Sequence, residues 1–307
     1  MAINSFNQHS VFISSTGRTG TQFLAWVMSE MIADCTSIHE PGTPWLTKLN
    51  KLPKQIKRYG LYHMTWGQLQ PSHSMFKLST DRCRGVVSDK QAKEYIRNMR
   101  EGLMKQLNSG IYVESSGHMY GALDLLDEVF PNSKIVFIIR DPRNFVRSAL
   151  NTLEYILYGP LDIDCLDLSL KARYLDDDPY SDKWSSMSKF EKYCWYYNYL
   201  NEFVFSKLEG ADNFKVYRFE DLFNPETRDD YFTDMLQFSS TFQDGYTKEV
   251  NYQPELMDQK VHSNAKKKKF PKWPEWSPKR AQILQKHCGK WMDKFDYGTE
   301  EEWQEKL

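Results

Sequence analysis

Apolar positions along this 307-residue chain follow two different rhythms. Short unbroken runs, Val11-Phe12-Ile13 with Ser14 and Ile135 to Ile139, have the length and β-branched or aromatic content of strands covered on both faces. IYVES (111–115) reads as a third strand. Longer stretches repeat every three or four residues, as amphipathic helices do. They cover about 22–34, 89–107 (Tyr95, Ile96, Met99, Leu103 and Leu107 inward), 121–130 before Pro131, and the face Phe145, Val146, Ala149, Leu150, Leu153. An aromatic stripe over 188–208 reads as a core helix, and Ser277-Pro278 opens the last one, with proline at its first helical position. Strands alternating with helices predict an α/β domain. Two stretches break the rhythm. Residues 35 to 90 are rich in Pro, His, Gly and Trp and read as irregular. Residues 158–185, with GP and DDDP, read either as a solvated loop or as a substrate gate. No repeat or linker divides the chain, so one domain over 1–307 is expected.

Composition narrows the class. Apolar residues make up 40% and aromatic residues 15%, enough for a packed interior, and the mean hydropathy of −0.65 is that of a soluble protein. The longest apolar runs fall far short of the ~20 residues that span a bilayer. The first ten residues, MAINSFNQHS, are polar and resemble no targeting signal. A net charge of −1 provides no global field for nucleic acid. Five scattered cysteines without C-x-x-C spacing favour neither a disulfide framework nor a zinc site. The expectation is a cytoplasmic enzyme with no metal and no nucleic-acid partner.

The candidate chemistry begins at VFISSTGRTGTQ (11–22). A strand that breaks into a Gly- and Thr-rich turn at a helix start is an anion trap. Backbone N–H groups converge there and the helix N-terminus adds positive potential. Arg18 adds a permanent fork of donors. The spelling is not that of a nucleoside-triphosphatase loop, because Thr21 follows Gly20 where lysine is required and Ser15 stands in place of the first glycine. A second unit, KIVFIIRDPRNFVRSALN (134–151), places Arg140 at the carboxyl end of its strand and Ser148 eight positions later, about two helical turns on. Ligands of open α/β sheets bind outside that edge, so both units offer polar groups to the same side.

These two segments resemble the nucleotide-binding segments of sulfotransferases that use 3′-phosphoadenosine-5′-phosphosulfate (PAPS). STGRTGT is similar to the family's 5′-phosphosulfate loop, and RDPRNFVRS to its 3′-phosphate segment. KVYRFEDLF (215–223) and the final helix running into FDYG (295–298) are similar to later family segments. The resemblance implies a three-layer α/β fold with a central mostly parallel sheet flanked by helices, the P-loop-NTPase-like sulfotransferase fold. It also implies sulfuryl transfer from PAPS to an acceptor hydroxyl or amine of a small molecule or carbohydrate. Arg18 would stabilise the leaving phosphate. Thr19, Gly20, Thr21 and Gln22 would hold the phosphosulfate, and Arg140 and Ser148 the 3′-phosphate. Arg143 and Arg147 fall on other helical faces.

The chain also departs from the family pattern. The Lys-Thr-His segment of cytosolic members has only FKLST (76–80) as a counterpart, with Lys77 toward the sulfate and no histidine. A glutamate shortly after the first helix, used by glycan-type and many bacterial members, corresponds to Glu40 as general base. Pro41, Pro44 and Trp45 are apolar neighbours that could form a pocket around it. Adjacent His39 competes for the role, and His118 is a third candidate. The family's C-terminal Gly-rich loop has only AKKKKFPKW (265–273) in its place, with Lys267 and Lys268 expected on the nucleotide and aromatic neighbours available for adenine. Two other classes share these features: a kinase-like phosphotransferase and a non-catalytic nucleotide-binding protein.

Overall fold

The computed structural model describes residues 6–44, 52–152, 159–161, 168–259 and 270–307. Five strands form one sheet: β1 (His9–Ser15), β2 (Cys35–His39), β3 (Ile111–Ser115), β4 (Ser133–Ile139) and β5 (Phe214–Arg218). Their order is β2-β3-β1-β4-β5 and every neighbouring pair is parallel. All five carboxyl ends therefore meet one edge of the sheet. β1 lies in the middle, with Val11 opposite both Val113 and Lys134.

Alternation sorts the strand side chains between two cores. Val11, Ile13, Val113, Val136 and Ile138 pack against the Thr21–Met31 and Arg228–Ser240 helices through Leu24, Val27, Met28, Phe232 and Leu236. Phe12, Tyr112, Ile135, Phe137 and Ile139 face the other layer, where the Asp89–Met104, Pro142–Leu150, Lys189–Leu208 and Pro278–Lys294 helices supply Ile96, Phe145, Tyr197 and Trp291. Each fully buried side chain of this size contributes roughly 1.5–3 kcal/mol. The result is the expected helix–sheet–helix stack.

Local sequence explains the helix starts. Ser88 and Gln91 form a reciprocal capping box, Ser188 accepts the Glu191 N–H, and Asp141 accepts the Arg143 N–H with Pro142 at the first helical position. Two expectations shorten. The 89–107 helix ends at Met104, and within 121–130 only Leu126–Val129 is α-helical, preceded by a tight turn at Leu123–Leu125.

The irregular reading of 35–90 is corrected. Cys35–His39 is an edge strand, and Leu52–Tyr59, Leu61–Met64 and Met75–Cys83 are helices. CTSIH has a single strongly apolar residue, and pairing with β3 rather than its own pattern makes it a strand. The solvated-loop reading of 158–185 also gives way for its described part. Leu161, Leu170, Ala172 and Trp184 are buried, and Trp195 donates to Asp178 at 2.9 Å. None of its described residues is among those lining the cavity described below. Residues 162–167 and Leu153 lie outside the described residues.

One buried ion pair joins the layers. Arg100 donates to both Glu114 carboxylate oxygens at 2.7 and 2.6 Å, and the Tyr112 hydroxyl donates to Glu114 Oε2 at 2.7 Å. Burial opposes the charge on Arg100, but the Glu114 carboxylate outweighs it and holds the guanidinium charged. Glu114 stands one residue before the carboxyl end of β3, so the pair fixes the strand end on which the site is built.

Candidate active site

β1 ends at Ser15, and the next five residues turn sharply into the Thr21–Met31 helix. Gly17 (φ 99°), Arg18 (φ 61°) and Gly20 (φ 74°) lie in the left-handed region. Glycine adopts it without steric cost, whereas Arg18 is strained there. Ser15 pins the turn from beneath: its Oγ accepts the Gly17 N–H at 2.9 Å and the Thr19 hydroxyl at 2.7 Å. A serine thus occupies the first-glycine position for a structural reason. Thr19 is fully buried by this bond and is not among the cavity-lining residues, whereas Thr16, Gly17, Arg18, Gly20, Thr21 and Gln22 line it.

The second unit meets the first directly. The Arg140 guanidinium donates to the Arg18 carbonyl, and Arg18 Nε donates to Ser148 Oγ at 3.1 Å. Tyr197 donates its hydroxyl to the Arg140 carbonyl at 2.6 Å, and the Arg140 guanidinium lies 4.4 Å from the Phe219 ring centroid. Two permanent positive charges and a serine hydroxyl therefore gather where β1 and β4 end side by side.

β2 and β3 supply the opposite side. Glu40 follows the last residue of β2 and has φ 45°; its N–H donates to the Ser115 carbonyl at 3.2 Å. His39 Nδ1 also lies 2.9 Å from that carbonyl. Nδ1 must therefore carry the proton in neutral His39, which turns the Nε2 lone pair toward Glu40 Oε2 at 3.7 Å. On the other side His118 Nδ1 lies 4.0 Å from Glu40 Oε1. Side-chain exposures of 15%, 11% and 13% for His39, Glu40 and His118 leave the cluster sheltered but reachable. Among the described residues four non-glycine positions have positive φ, and two of them, Arg18 and Glu40, line this one cavity. Such strain persists where surrounding structure enforces it, characteristically at functional sites.

The cavity has a volume of about 410 Å³. Beside the loop and the Glu40 cluster it is walled by Phe76, Tyr196, Phe219 and Phe223, with Met257 and Gln259 at its margin. Tyr196 lies on the Lys189–Leu208 helix, and Phe219 and Phe223 stand one helical turn apart just after β5. Met257 and Gln259 carried no sequence signal. Lys77 is held by Asp81 at 2.6 Å and is not among the lining residues.

Arg143 is buried between Asp141 and Glu300, with its guanidinium 4.5 Å from the Trp273 ring centroid. That role is structural, in keeping with its helical phase. Lys267, Lys268 and Trp45 lie outside the described residues. The aromatics next to the lysine run are otherwise engaged: Trp276 is buried against Phe190, and Trp273 packs against Trp303. Among the described residues no group of three His, Cys, Asp or Glu could hold a metal ion. Nor is any helix among them long and apolar enough to cross a membrane.

Beneath the β4 and β5 ends, Glu220 accepts the Asp141 N–H at 3.2 Å and the Tyr297 hydroxyl at 2.8 Å, tying FEDLF to FDYG. Burial raises its pKa above the ordinary carboxylate value. The folded state then holds this proton more tightly than the unfolded chain, so stability falls as pH rises from the ordinary value through the raised one. Glu220→Gln removes the titrating group and keeps one of the two acceptor oxygens. It is expected to remove that part of the slope, as read by urea denaturation midpoints across the acidic range.

Comparison with known proteins gives one family match: the sulfotransferase family model covers residues 10–176, which contain the loop, the Glu40 cluster, Arg140 and Ser148. Comparison with curated proteins finds no match. Among solved structures, the chain is similar to a sulfotransferase from Alicyclobacillus acidocaldarius (TM-score 0.44, 12% identity, 96% of this chain and 98% of that one). It is also similar to sulfotransferase STF9 from Mycobacterium avium (TM-score 0.49, 12% identity, 94% and 77%). A third similarity is to the sulfotransferase domain of the curacin biosynthetic pathway (TM-score 0.38, 14% identity, 97% and 95%).

Proposed function

Because the chain belongs to the sulfotransferase family, we propose that it is a PAPS-dependent sulfotransferase acting on a hydroxyl or amine of a small-molecule or carbohydrate acceptor. One observation supports this reading: Arg140 bonds the Arg18 backbone while the Arg18 side chain bonds Ser148, so the two units meet as one cradle at the edge of the cavity, which Arg18 lines and Arg140 and Ser148 do not. The donor set suits a ligand with anionic groups at both ends. The 5′ end falls to the Gly17–Gln22 turn and Arg18, and the 3′-phosphate to Arg140 and Ser148.

In the proposed reaction an acceptor oxygen attacks the sulfur in line, forming an O–S bond as the bond from sulfur to the 5′-phosphate oxygen breaks. The electron pair of the broken bond stays on that phosphate oxygen. Arg18 offsets the charge by hydrogen bonding alone, since its guanidinium does not deprotonate and cannot act as an acid. Glu40 takes the acceptor proton. His39 Nε2, 3.7 Å away, offers a second resting place for it. Thr19 acts through Ser15 by holding the turn, as a positioning residue.

Calorimetry with 3′-phosphoadenosine 5′-phosphate (PAP) tests the reading. Binding without magnesium is expected, weakened ~10- to 100-fold in Arg140→Ala, the worth of one or two charge-assisted hydrogen bonds. Magnesium-dependent binding of ATP in preference to PAP would favour a phosphotransferase. PAP binding without sulfation of any acceptor in a mixed library would favour a non-catalytic binding protein.

A further inference from the structure

From Pro41 to Thr80 the sequence contains Lys48, Lys51, Lys54, Lys57, Arg58 and Lys77 and not one Asp or Glu. In a chain of net charge −1 this is a local excess of positive charge: Lys77 pairs with Asp81 just beyond the segment, and the other five basic residues have no acidic residue within it. On the Leu52–Tyr59 helix, Lys54, Lys57 and Arg58 are all exposed. The next turns hold out three large apolar side chains: Leu61 is 62% exposed, Tyr62 51% and Trp66 71%. Elsewhere in the described molecule, exposed large apolar residues lie far apart in sequence, at Val86, Tyr231 and Leu307. Scattered exposed residues need no explanation, but three within six positions beside a basic helix do.

The lobe is also firmly built. Met64 and Gly67 are buried, Gln68 Nε2 donates to the His63 carbonyl at 2.7 Å, and the Tyr62 ring packs edge-on against His73. It is fastened to the turn that follows Glu40: His63 Nε2 and Gln68 Nε2 both reach the Gly42 carbonyl at 3.0 Å, and Gln55 donates to the Thr43 carbonyl at 3.0 Å. The exposed apolar residues are thus presented by an ordered scaffold.

We propose that this lobe docks on an anionic lipid bilayer surface, with Leu61, Tyr62 and Trp66 entering the headgroup boundary and Lys54, Lys57 and Arg58 facing anionic headgroups. Tryptophan and tyrosine with an aliphatic neighbour suit that boundary, where one end of a side chain is apolar and the other wet. Basic residues near an anionic surface add attraction that decays within a Debye length. An acidic protein partner would match the charge, but protruding tryptophan and leucine without a facing groove suit a fluid apolar layer better. The inference is independent of the proposed reaction, since it rests on surface residues outside the cradle.

Sedimentation of the full chain with large unilamellar vesicles tests it, using phosphatidylcholine alone or mixed with phosphatidylglycerol. Association with the mixed vesicles only, weakened by added salt, is expected. The double variant Lys57→Glu/Arg58→Glu and, separately, Trp66→Ala should each lower association by ~10-fold or more. Unchanged thermal melting and unchanged PAP affinity in both variants would show that they fold. Equal association with neutral vesicles, no association with either, or full association by the folded variants would overturn the proposal. Loss of PAP binding in the parent chain would count against the reaction alone.

Discussion

Glu40→Gln is expected to lower kcat by about 100- to 10,000-fold, the usual worth of a positioned general base, with PAP affinity unchanged. Glutamine preserves shape and can still accept hydrogen bonds, so only the proton-accepting step is lost. The split between kcat and nucleotide binding separates catalysis from a folding defect. Glu40 holds a left-handed backbone conformation at the end of β2, with His39 and His118 on either side of its carboxylate. Initial rates with PAPS and an identified acceptor, beside PAP calorimetry, check the prediction. Full activity in this variant would remove Glu40 from the mechanism. His39 would then be the next residue to replace, since its Nδ1 contact with the Ser115 carbonyl leaves Nε2 facing the cavity cluster.

The second large effect concerns stability. Arg100→Met strips the partner from a buried carboxylate, and breaking such a pair on one side costs roughly 3–5 kcal/mol. Glu114 is 1% exposed and receives two bonds from Arg100. Without them its charge is opposed only by the Tyr112 hydroxyl. Adding Glu114→Gln to Arg100→Met removes the stranded charge while keeping an acceptor for Tyr112, so the double variant should recover most of the loss. Equilibrium urea unfolding of the single and double variants provides the cycle. A single variant as stable as the parent chain would mean that water reaches Glu114 and that the pair does not hold β3 to the Asp89–Met104 helix.

Two of the three inner strands, β1 and β4, were legible because burial on both faces demands unbroken apolar runs, and Val11 to Ile13 and Ile135 to Ile139 are such runs. The turn after β1 was legible because a left-handed backbone favours glycine, which stands at 17 and 20. Helix starts at Ser88, Asp141 and Ser188 were legible through their caps. These are local requirements, met by residues within a few positions of one another.

What the sequence left open depends on groups brought together from far along the chain. β2 is a strand because β3 offers it hydrogen bonds; alone, CTSIH carries too little apolar pattern. Ser15 is a pin rather than an imperfect glycine because Thr19 folds back onto it. Within 168–185 Leu170 and Trp184 are buried because they find a core waiting for them, which no composition of Asp, Gly and Pro announces. The amino-acid sequence by itself determined the parallel α/β plan and the Gly-rich turn after β1. The sequence pointed Arg18 and Arg140 to one edge; only the tertiary structure set the Glu40 carboxylate between His39 and His118 there. Four parallel strands end there side by side, and bonds such as Glu40 N–H to the Ser115 carbonyl span too much chain for any local pattern to encode.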